Sequence, residues 1–311
     1  MADLQQTTNQ RIQKPRWLKV PLPGGESYAH LKQILRAHNL HTVCEEARCP
    51  NIGECWGGGT ATFMLMGDVC TRGCRFCAVK SGNPRGALNP DEPKKVADVI
   101  AEMGLDYVVL TSVNRDDLPD QGSVHYAESV RQIKLRSPHI LVETLIPDFR
   151  EDRQAIARIV DSGADVIAHN LETVERLTPR VRDRRAAYPQ SLNVLAQVKE
   201  LDPERMTKSS LMLGIGEERS EIEKSMDDLR AVGVEILTLG QYLQPTHAHL
   251  PVTQFVSPEE FQELAEAGKE KGFLYVASGP LVRSSYRAGE YFTKHVLEER
   301  AKLAQGACYG L

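Results

Sequence analysis

Six of the seven cysteines in this 311-residue chain fall between positions 44 and 77, in two ordered triplets. The first is Cys44, Cys49 and Cys55, spaced C-x4-C-x5-C, and the second is Cys70, Cys74 and Cys77, spaced C-x3-C-x2-C. Each triplet is one ligand short of a closed site. Structural zinc takes four protein ligands in a closed tetrahedron, usually from paired knuckles, and neither run has that form. A cubane iron-sulfur cluster also takes four ligands, one per iron, with thiolates as its normal donors. Three thiolates leave one iron open, where a small molecule can chelate and receive an electron.

The rest of the chain reads as scaffold for these triplets. An odd cysteine count with such crowding argues against a disulfide framework and for metal binding in a reducing compartment, with the cytoplasm the natural reading. Net charge is −4, so bulk electrostatics suggest neither a nucleic-acid nor a membrane-surface protein. The polar N-terminus has no apolar signal segment, and no apolar run approaches a bilayer span. At this length one large domain or two ordinary ones would bury a substantial core.

Residues 1–15 read as disordered, and 15–23, with Pro15, Pro21 and Pro23, as an extended arm anchored by Trp17. A helix carrying Tyr28, Leu31, Ile34 and Leu35 follows and ends near Asn39, after which the first triplet sits in a loop. Strands are expected at 60–67, 107–113, 140–146, 164–169, 210–215, 235–241 and 273–278. Helices fall between them, one closed by Gly104 and one opened by the capping box Ser257-Pro258-Glu259-Glu260. Such alternation argues for parallel β-α units, and the polar clusters fall after the strands, as in barrels. The expectation is an α/β fold, a partial (β/α)6-type TIM barrel with an N-terminal cluster-binding extension and a C-terminal helix. Its divisions would be 1–58 (arm, helix and auxiliary-cluster loop), 59–282 (barrel) and 283–311 (C-terminal segment and helix). With fewer than eight repeats, the N-terminal segment and the C-terminal helix should cover an open edge.

C-x3-C-x2-C with Phe76 before its last cysteine resembles the signature of the radical S-adenosylmethionine (SAM) enzymes, whose open iron binds the amino and carboxylate groups of SAM. The upstream triplet, continuing into Trp56, and the segment Arg283-Ser284-Ser285-Tyr286 are similar to the auxiliary-cluster site of the lipoyl synthases, whose R-S-S-Y motif ligates through its second serine. The resemblance runs from about position 43 to 287. It implies two [4Fe-4S] clusters, one on Cys70, Cys74 and Cys77 and one on Cys44, Cys49, Cys55 and Ser285, with SAM as cosubstrate. It implies a sulfurtransferase that inserts two sulfur atoms at C6 and C8 of a protein-bound octanoyl-lysine, the auxiliary cluster being the sacrificial donor. No catalytic residue beyond the cluster ligands is implied. The partners would be octanoylated lipoyl-carrier domains or proteins, an electron-donor protein and a cluster-repair protein. Asn170 and Glu172 match a family stretch after a barrel strand and are read as SAM contacts.

Each motif has a plainer reading. The second triplet could be a zinc knuckle completed by His125, His139 or His169, and the first a separate zinc site or buried thiols. Ser285 could be a turn hydroxyl, and Asn170 and Glu172 could cap the following helix. Gly214 and Gly216 alone make a poor nucleotide signal. Arg176, Arg180, Arg182, Arg184 and Arg185 are either a solvated run or a basic patch for an acidic carrier domain. Cys308 reads as an exposed free thiol. Gln121 stands where the family often has glycine, in the D-L-x-D-G-G stretch, and Thr246-His247-Ala248-His249 varies around its H-L-P-V motif. A biotin-synthase-like sulfur inserter is the nearest rival, and the first triplet and the R-S-S-Y segment argue against it.

Overall fold

The computed structural model describes residues 13–20, 24, 26–38, 41–46, 49, 51–57, 62–105 and 107–285. The expected disorder at the start of the chain, Tyr286, Cys308 and the C-terminal helix lie outside the described residues. The elements are α1 (Glu26–Ala37), β1 (His41–Thr42), α2 (Val43–Glu46), α3 (Ile52–Gly57), β2 (Thr62–Leu65), β3 (Val69–Cys70), β4 (Lys80–Ser81), α4 (Glu92–Met103), β5 (Tyr107–Ser112), α5 (Ser123–Arg136) and β6 (Leu141–Leu145). They continue with α6 (Arg153–Val160), β7 (Val166–Ala168), α7 (Thr178–Val181), α8 (Tyr188–Leu201), β8 (Met206–Leu213), α9 (Arg219–Ala231), β9 (Ile236–Gln241), α10 (Pro258–Glu270) and β10 (Tyr275–Gly279).

Seven parallel strands stand side by side in the order β2-β5-β6-β7-β8-β9-β10. A doubly wound sheet reverses its order at a switch point; this one never does, which is the wall of a partial barrel. The two-residue β1 runs antiparallel on β2, pairing His41 with Met64 and Thr42 with Phe63, and so covers the first edge. The last edge is reached as well, because Asn51 Nδ2 donates to the Leu281 carbonyl just past β10 at 2.6 Å. The N-terminal extension therefore bridges the seam between first and last strands.

Strand alternation divides the wall into two faces. Val108, Leu110, Val142, Leu237 and Leu239 face the helices and join the two large apolar clusters. The opposite face of β6 and β8 carries Glu143 and Lys208 inside the barrel, where Lys208 Nζ donates to both Glu143 carboxylate oxygens at 2.8 Å and Tyr107 Oη adds a third bond at 2.6 Å. This ion pair sits in the interior below the cavity, and Ser210, Met212 and Gly240 line the cavity above it.

Most strands and helices lie where periodicity puts them. Gly104 closes α4 with φ 61°, and Ser257 Oγ caps α10 by accepting from Glu260 N while the Glu260 carboxylate returns to Ser257 N. Three expectations need correction. The first triplet is not in a loop: Cys44 lies in α2 and Cys55 in α3, with Cys49 between them. The arm contains a 3-10 turn at Arg16–Leu18, and its anchor is Leu18, fully buried, because the turn leaves Trp17 45% exposed. Strand β8 begins at Met206 rather than 210, since the polar run Thr207-Lys208-Ser209-Ser210 hides in the barrel interior and against neighbouring strands.

Candidate functional site

A cavity of about 480 Å³ opens where the barrel strands end, and its wall includes Cys44, Cys49, Cys70, Cys74, Cys77, Asn170, Glu172 and Ser285. Of the expected site residues only Cys55 is outside this wall; it is buried one turn along α3, beside Trp56. Gly214 and Gly216 are not in the wall either. Their φ angles of 96° and 113° serve a turn in which the Glu217 carboxylate accepts from the Gly214 and Ile215 amides.

The loop of the second triplet is gripped from several sides. Arg72 is buried and donates through Nη1 and Nη2 to Asp148, the latter at 2.8 Å, and through Nε and Nη2 to Asp116 at 3.0 and 3.1 Å. Thr71 Oγ1 donates to Asp116 at 2.6 Å. Burial works against the Asp116 charge, but the bonds from Arg72 and Thr71 outweigh it and lower its pKa to about 2. From the far wall the Gly73 amide donates to Asp183 at 2.8 Å and the Arg75 amide to Val181 O at 2.9 Å. After β9, His249 Nε2 meets the Cys77 carbonyl at 2.9 Å and Leu250 N donates to Arg75 O at 3.1 Å.

The thiols of this loop are prepared for an electrophile. Backbone amides of Arg72 and Asn114 point at Cys70 Sγ at 3.4 Å, and that of Asp183 at Cys74 Sγ at 3.3 Å. Burial pushes the Cys77 thiol up to about 12 and raises Cys74 as well. Such thiols stay protonated at neutral pH unless a cation compensates the thiolate, and metal binding would release their protons.

The first triplet is held by short helices and local backbone bonds. The Cys49 amide donates to Cys44 O at 3.0 Å and the Ile52 amide to Cys49 O at 3.4 Å, while burial pushes Cys44 up to about 11. From the other end of the chain Arg283, Ser284 and Ser285 join the same cavity wall after β10. Gly240 makes that approach feasible: a Cβ there would collide with the Val282 carbonyl oxygen. Sequence reading passed over Gly240, although a glycine inside an apolar strand is a signal of close backbone approach.

Asn170 and Glu172 do not cap a helix. The next turn is headed by Val174 with no side-chain cap. Asn170 Nδ2 instead donates to Glu172 Oε1 at 3.1 Å, and Asn170 Oδ1 is buried with no partner among the described residues. Glu172 has φ 69°, a left-handed conformation uncommon for glutamate, pinned by its bridge to Leu211 of β8. Burial raises its carboxyl, with Arg182 opposing. His169 gives one ring nitrogen to Ile146 O and the other to Ser191 Oγ, both at 2.9 Å, and burial, then Arg182, lowers it to about 4.

The five arginines at 176–185 do not form one patch. Arg182 is buried and donates to Leu171 O and Ser191 Oγ, Arg176 pairs with Glu221, and Arg185 pairs with Asp183. Arg180 and Arg184 are exposed and have no ion pair among the described residues. Gln121 adopts φ 55°, the conformation a glycine takes without strain, and its amide is tied to Phe149 O at 2.8 Å.

None of the six described cysteines forms a disulfide. None of the three histidines that could complete a zinc knuckle with the second triplet offers a ring nitrogen to it: His169 commits both nitrogens elsewhere, His125 bonds Glu92 at 2.6 Å, and neither His125 nor His139 lines the cavity. A cubane spreads its ligands over four irons, so thiols set around a cavity with amides aimed at their sulfurs fit it. The buried Trp56 indole N–H has no oxygen or nitrogen acceptor and bears on the Cys44 sulfur, where it favours the thiolate that a cluster needs.

Comparison with known proteins agrees with the fold and narrows it. The Radical SAM superfamily matches residues 64–229, and the N-terminal domain of lipoyl synthase of the radical SAM family matches 2–49. A mitochondrial lipoyl synthase of Culex quinquefasciatus is 59% identical over 299 residues, covering 94% of this chain and 79% of that one. That of Drosophila melanogaster is 58% identical over 298 residues, with coverage of 94% and 79%. Among solved structures, methylornithine synthase aligns with a TM-score of 0.53 at 15% identity over 79% of this chain and 71% of that one. A maturase of the [FeFe]-hydrogenase aligns with a TM-score of 0.55 at 14% identity over 81% and 57%. Those two likenesses speak for the shared barrel, while the sequence relatives speak for the family. The chain belongs to the lipoyl synthases of the radical SAM superfamily.

Proposed function

We propose that the cavity is a two-cluster reaction chamber, with Cys70, Cys74 and Cys77 holding one [4Fe-4S] cluster and Cys44, Cys49, Cys55 and Ser285 holding an auxiliary one. The observation that carries this is that five of the six cysteines of the two triplets, all but Cys55, line one cavity together with Ser285 from the other end of the chain. Lipoyl synthases insert sulfur at C6 and C8 of an octanoyl chain on a carrier lysine, and that is the reaction of this chain. When bound, the first cluster supplies the electron that cleaves SAM and the auxiliary cluster supplies the sulfur.

The protein's own residues do the holding. Arg72, clamped by Asp116 and Asp148, fixes the loop that presents three thiolates. Asn170, with its unpartnered Oδ1, and Glu172 in its strained backbone are the groups we assign to SAM. The apolar part of the wall, including Met64, Leu145, Ile146 and Met212, suits an acyl chain and keeps water from it. Exposed Arg180 and Arg184 suit an acidic carrier domain. An electron donor and a cluster-repair protein complete the partner set.

We read the working divisions as 1–58, 59–282 and 283–311. No helix among the described residues is long and apolar enough to cross a membrane. The relatives named above are called mitochondrial; our reading from the thiols is the cytoplasm, and cell fractionation decides between the two. The functional test is iron and sulfide analysis of anaerobically purified protein, followed by assay of 5′-deoxyadenosine and of thiolated octanoyl peptide. Two clusters per chain and both products are expected; iron for one cluster only, or zinc, overturns the two-cluster reading.

A further inference from the structure

From Cys70 to Phe76 the loop of the second triplet is a single strip of backbone. Cys70, Arg72, Cys74 and Phe76 line the cavity, while Thr71, Gly73 and Arg75 do not, and Gly73 and Arg75 are exposed. Alternation of this kind sends successive side chains to opposite sides of an extended strip. At Gly73, then, one layer of main chain stands between the thiols and the outside of the protein.

The outer side of this strip is basic. The Arg75 amide donates to Val181 O at 2.9 Å, which brings exposed Arg75 beside the segment that carries exposed Arg180 and Arg184. Arg185 Nη2 donates to the Thr71 carbonyl at 2.6 Å, and Arg150 and Arg185 both reach Asp116, at 3.3 and 3.4 Å. Their side chains are 55% and 40% exposed, whereas Asp116 and Asp183, the carboxylates they pair with, have side chains only 6% and 12% exposed. Exposed Asp152, beyond Arg150, accepts from the Gln154 and Ala155 amides and so caps its own helix. Positive charge faces out and negative charge in, on a chain whose net charge is −4.

We propose that this outer face, centred on Arg75, Arg150 and Arg185, is where a small acidic one-electron donor protein docks to feed the first cluster. This rests on the two-cluster reading above. Fixed charge of one sign steers a partner of the other, and transient redox encounters bury little surface, so a few arginines suffice. A carrier domain must present its acyl chain to the open cavity, whereas an electron has only the strip of backbone at Gly73 to cross. One electron leaves the donor, which is oxidised, and is gained by the cluster on Cys70, Cys74 and Cys77; no atom is transferred.

The test uses the full chain, reconstituted anaerobically, with reduced flavodoxin, an acidic flavoprotein that gives up one electron and turns into a coloured semiquinone, as the donor probe. Stopped-flow absorbance of that semiquinone reads the rate of transfer, and 5′-deoxyadenosine shows that the electron reached the first cluster. Arg75→Gln with Arg150→Gln should slow transfer from flavodoxin by about tenfold at low ionic strength and flatten its salt dependence. The same pair should leave dithionite-driven 5′-deoxyadenosine formation at the parent level, and Arg75→Lys with Arg150→Lys should keep the fast rate. An unchanged flavodoxin rate in the glutamine pair would overturn the proposal, as would equal loss with both reductants, which would place these arginines in the site itself. Loss of octanoylated-carrier binding with normal flavodoxin transfer would give the face to the carrier and overturn it too. If the parent makes no 5′-deoxyadenosine even with dithionite, it is the two-cluster reading that fails, and this inference with it.

Discussion

The two triplets stand on the same cavity but are built differently. The loop of Cys70, Cys74 and Cys77 is tied to the barrel by a buried Arg72–Asp116–Asp148 network, by the Val181–Asp183 segment and by His249 and Leu250. Among the described residues, the segment of Cys44, Cys49 and Cys55 rests on two short helices and the long-range bond from Asn51 to Leu281, with Ser285 brought into the same cavity wall from beyond β10. Rigidity suits a cluster used at every turnover, because its ligands must return to the same geometry. Under the proposed function, closure by Ser285, whose hydroxyl is a weaker and more labile iron ligand than thiolate, would suit a cluster that is taken apart.

The largest effect should come from the rigid side. Replacing Cys70, Cys74 or Cys77 by alanine should abolish 5′-deoxyadenosine formation, measured by chromatography of quenched reactions; wild-type amounts would remove the distinction between the two sites. Next, Cys44→Ala, Cys49→Ala or Cys55→Ala should leave 5′-deoxyadenosine while eliminating thiolated product. With labelled sulfide built into the wild type, mass spectrometry should find the label in the product, and without repair a single lipoyl group per chain. Unlabelled product or sustained turnover would contradict a sacrificial donor.

Asp148→Asn probes the clamp. Leaving Arg72 with half its partners should cost about 3 kcal/mol of unfolding free energy, read by denaturant titration, and should loosen iron at the first cluster before the second. Acid should act through two windows. His169 is depressed from 6.5 to about 4, so the unfolded chain binds its proton first and stability falls as pH drops across that range. Asp116, lowered from 3.8 to about 2, adds stability above 3.8 that is lost on approaching 2. Thermal melts against pH should show both steps, and His169→Gln should erase the upper one alone. The smallest effect is on the rim, where Arg180→Glu with Arg184→Glu should weaken binding of an acidic carrier by a few-fold while short peptide substrates react normally. Equal loss on both would mean a folding defect.

Much of this was legible before folding was considered. Thiolate number, order and spacing are local, so the triplets, the open iron and the R-S-S segment can be read along the chain. So can strand and helix periods and the Ser257 capping box, which depend on neighbours within one turn. Other features are set by strand order and burial. Arg72 and Asp148 are 76 residues apart, and Asn51 and Leu281 are 230 apart; nothing local says that they meet. The arginine run at 176–185 looked uniform because charge is a property of the residue, whereas the burial of Arg182 and the pairing of Arg176 and Arg185 belong to the assembled barrel. Leu18 displaced Trp17 as anchor for the same reason: either side chain is apolar enough, and only the direction of a 3-10 turn, set against the folded core, chose between them.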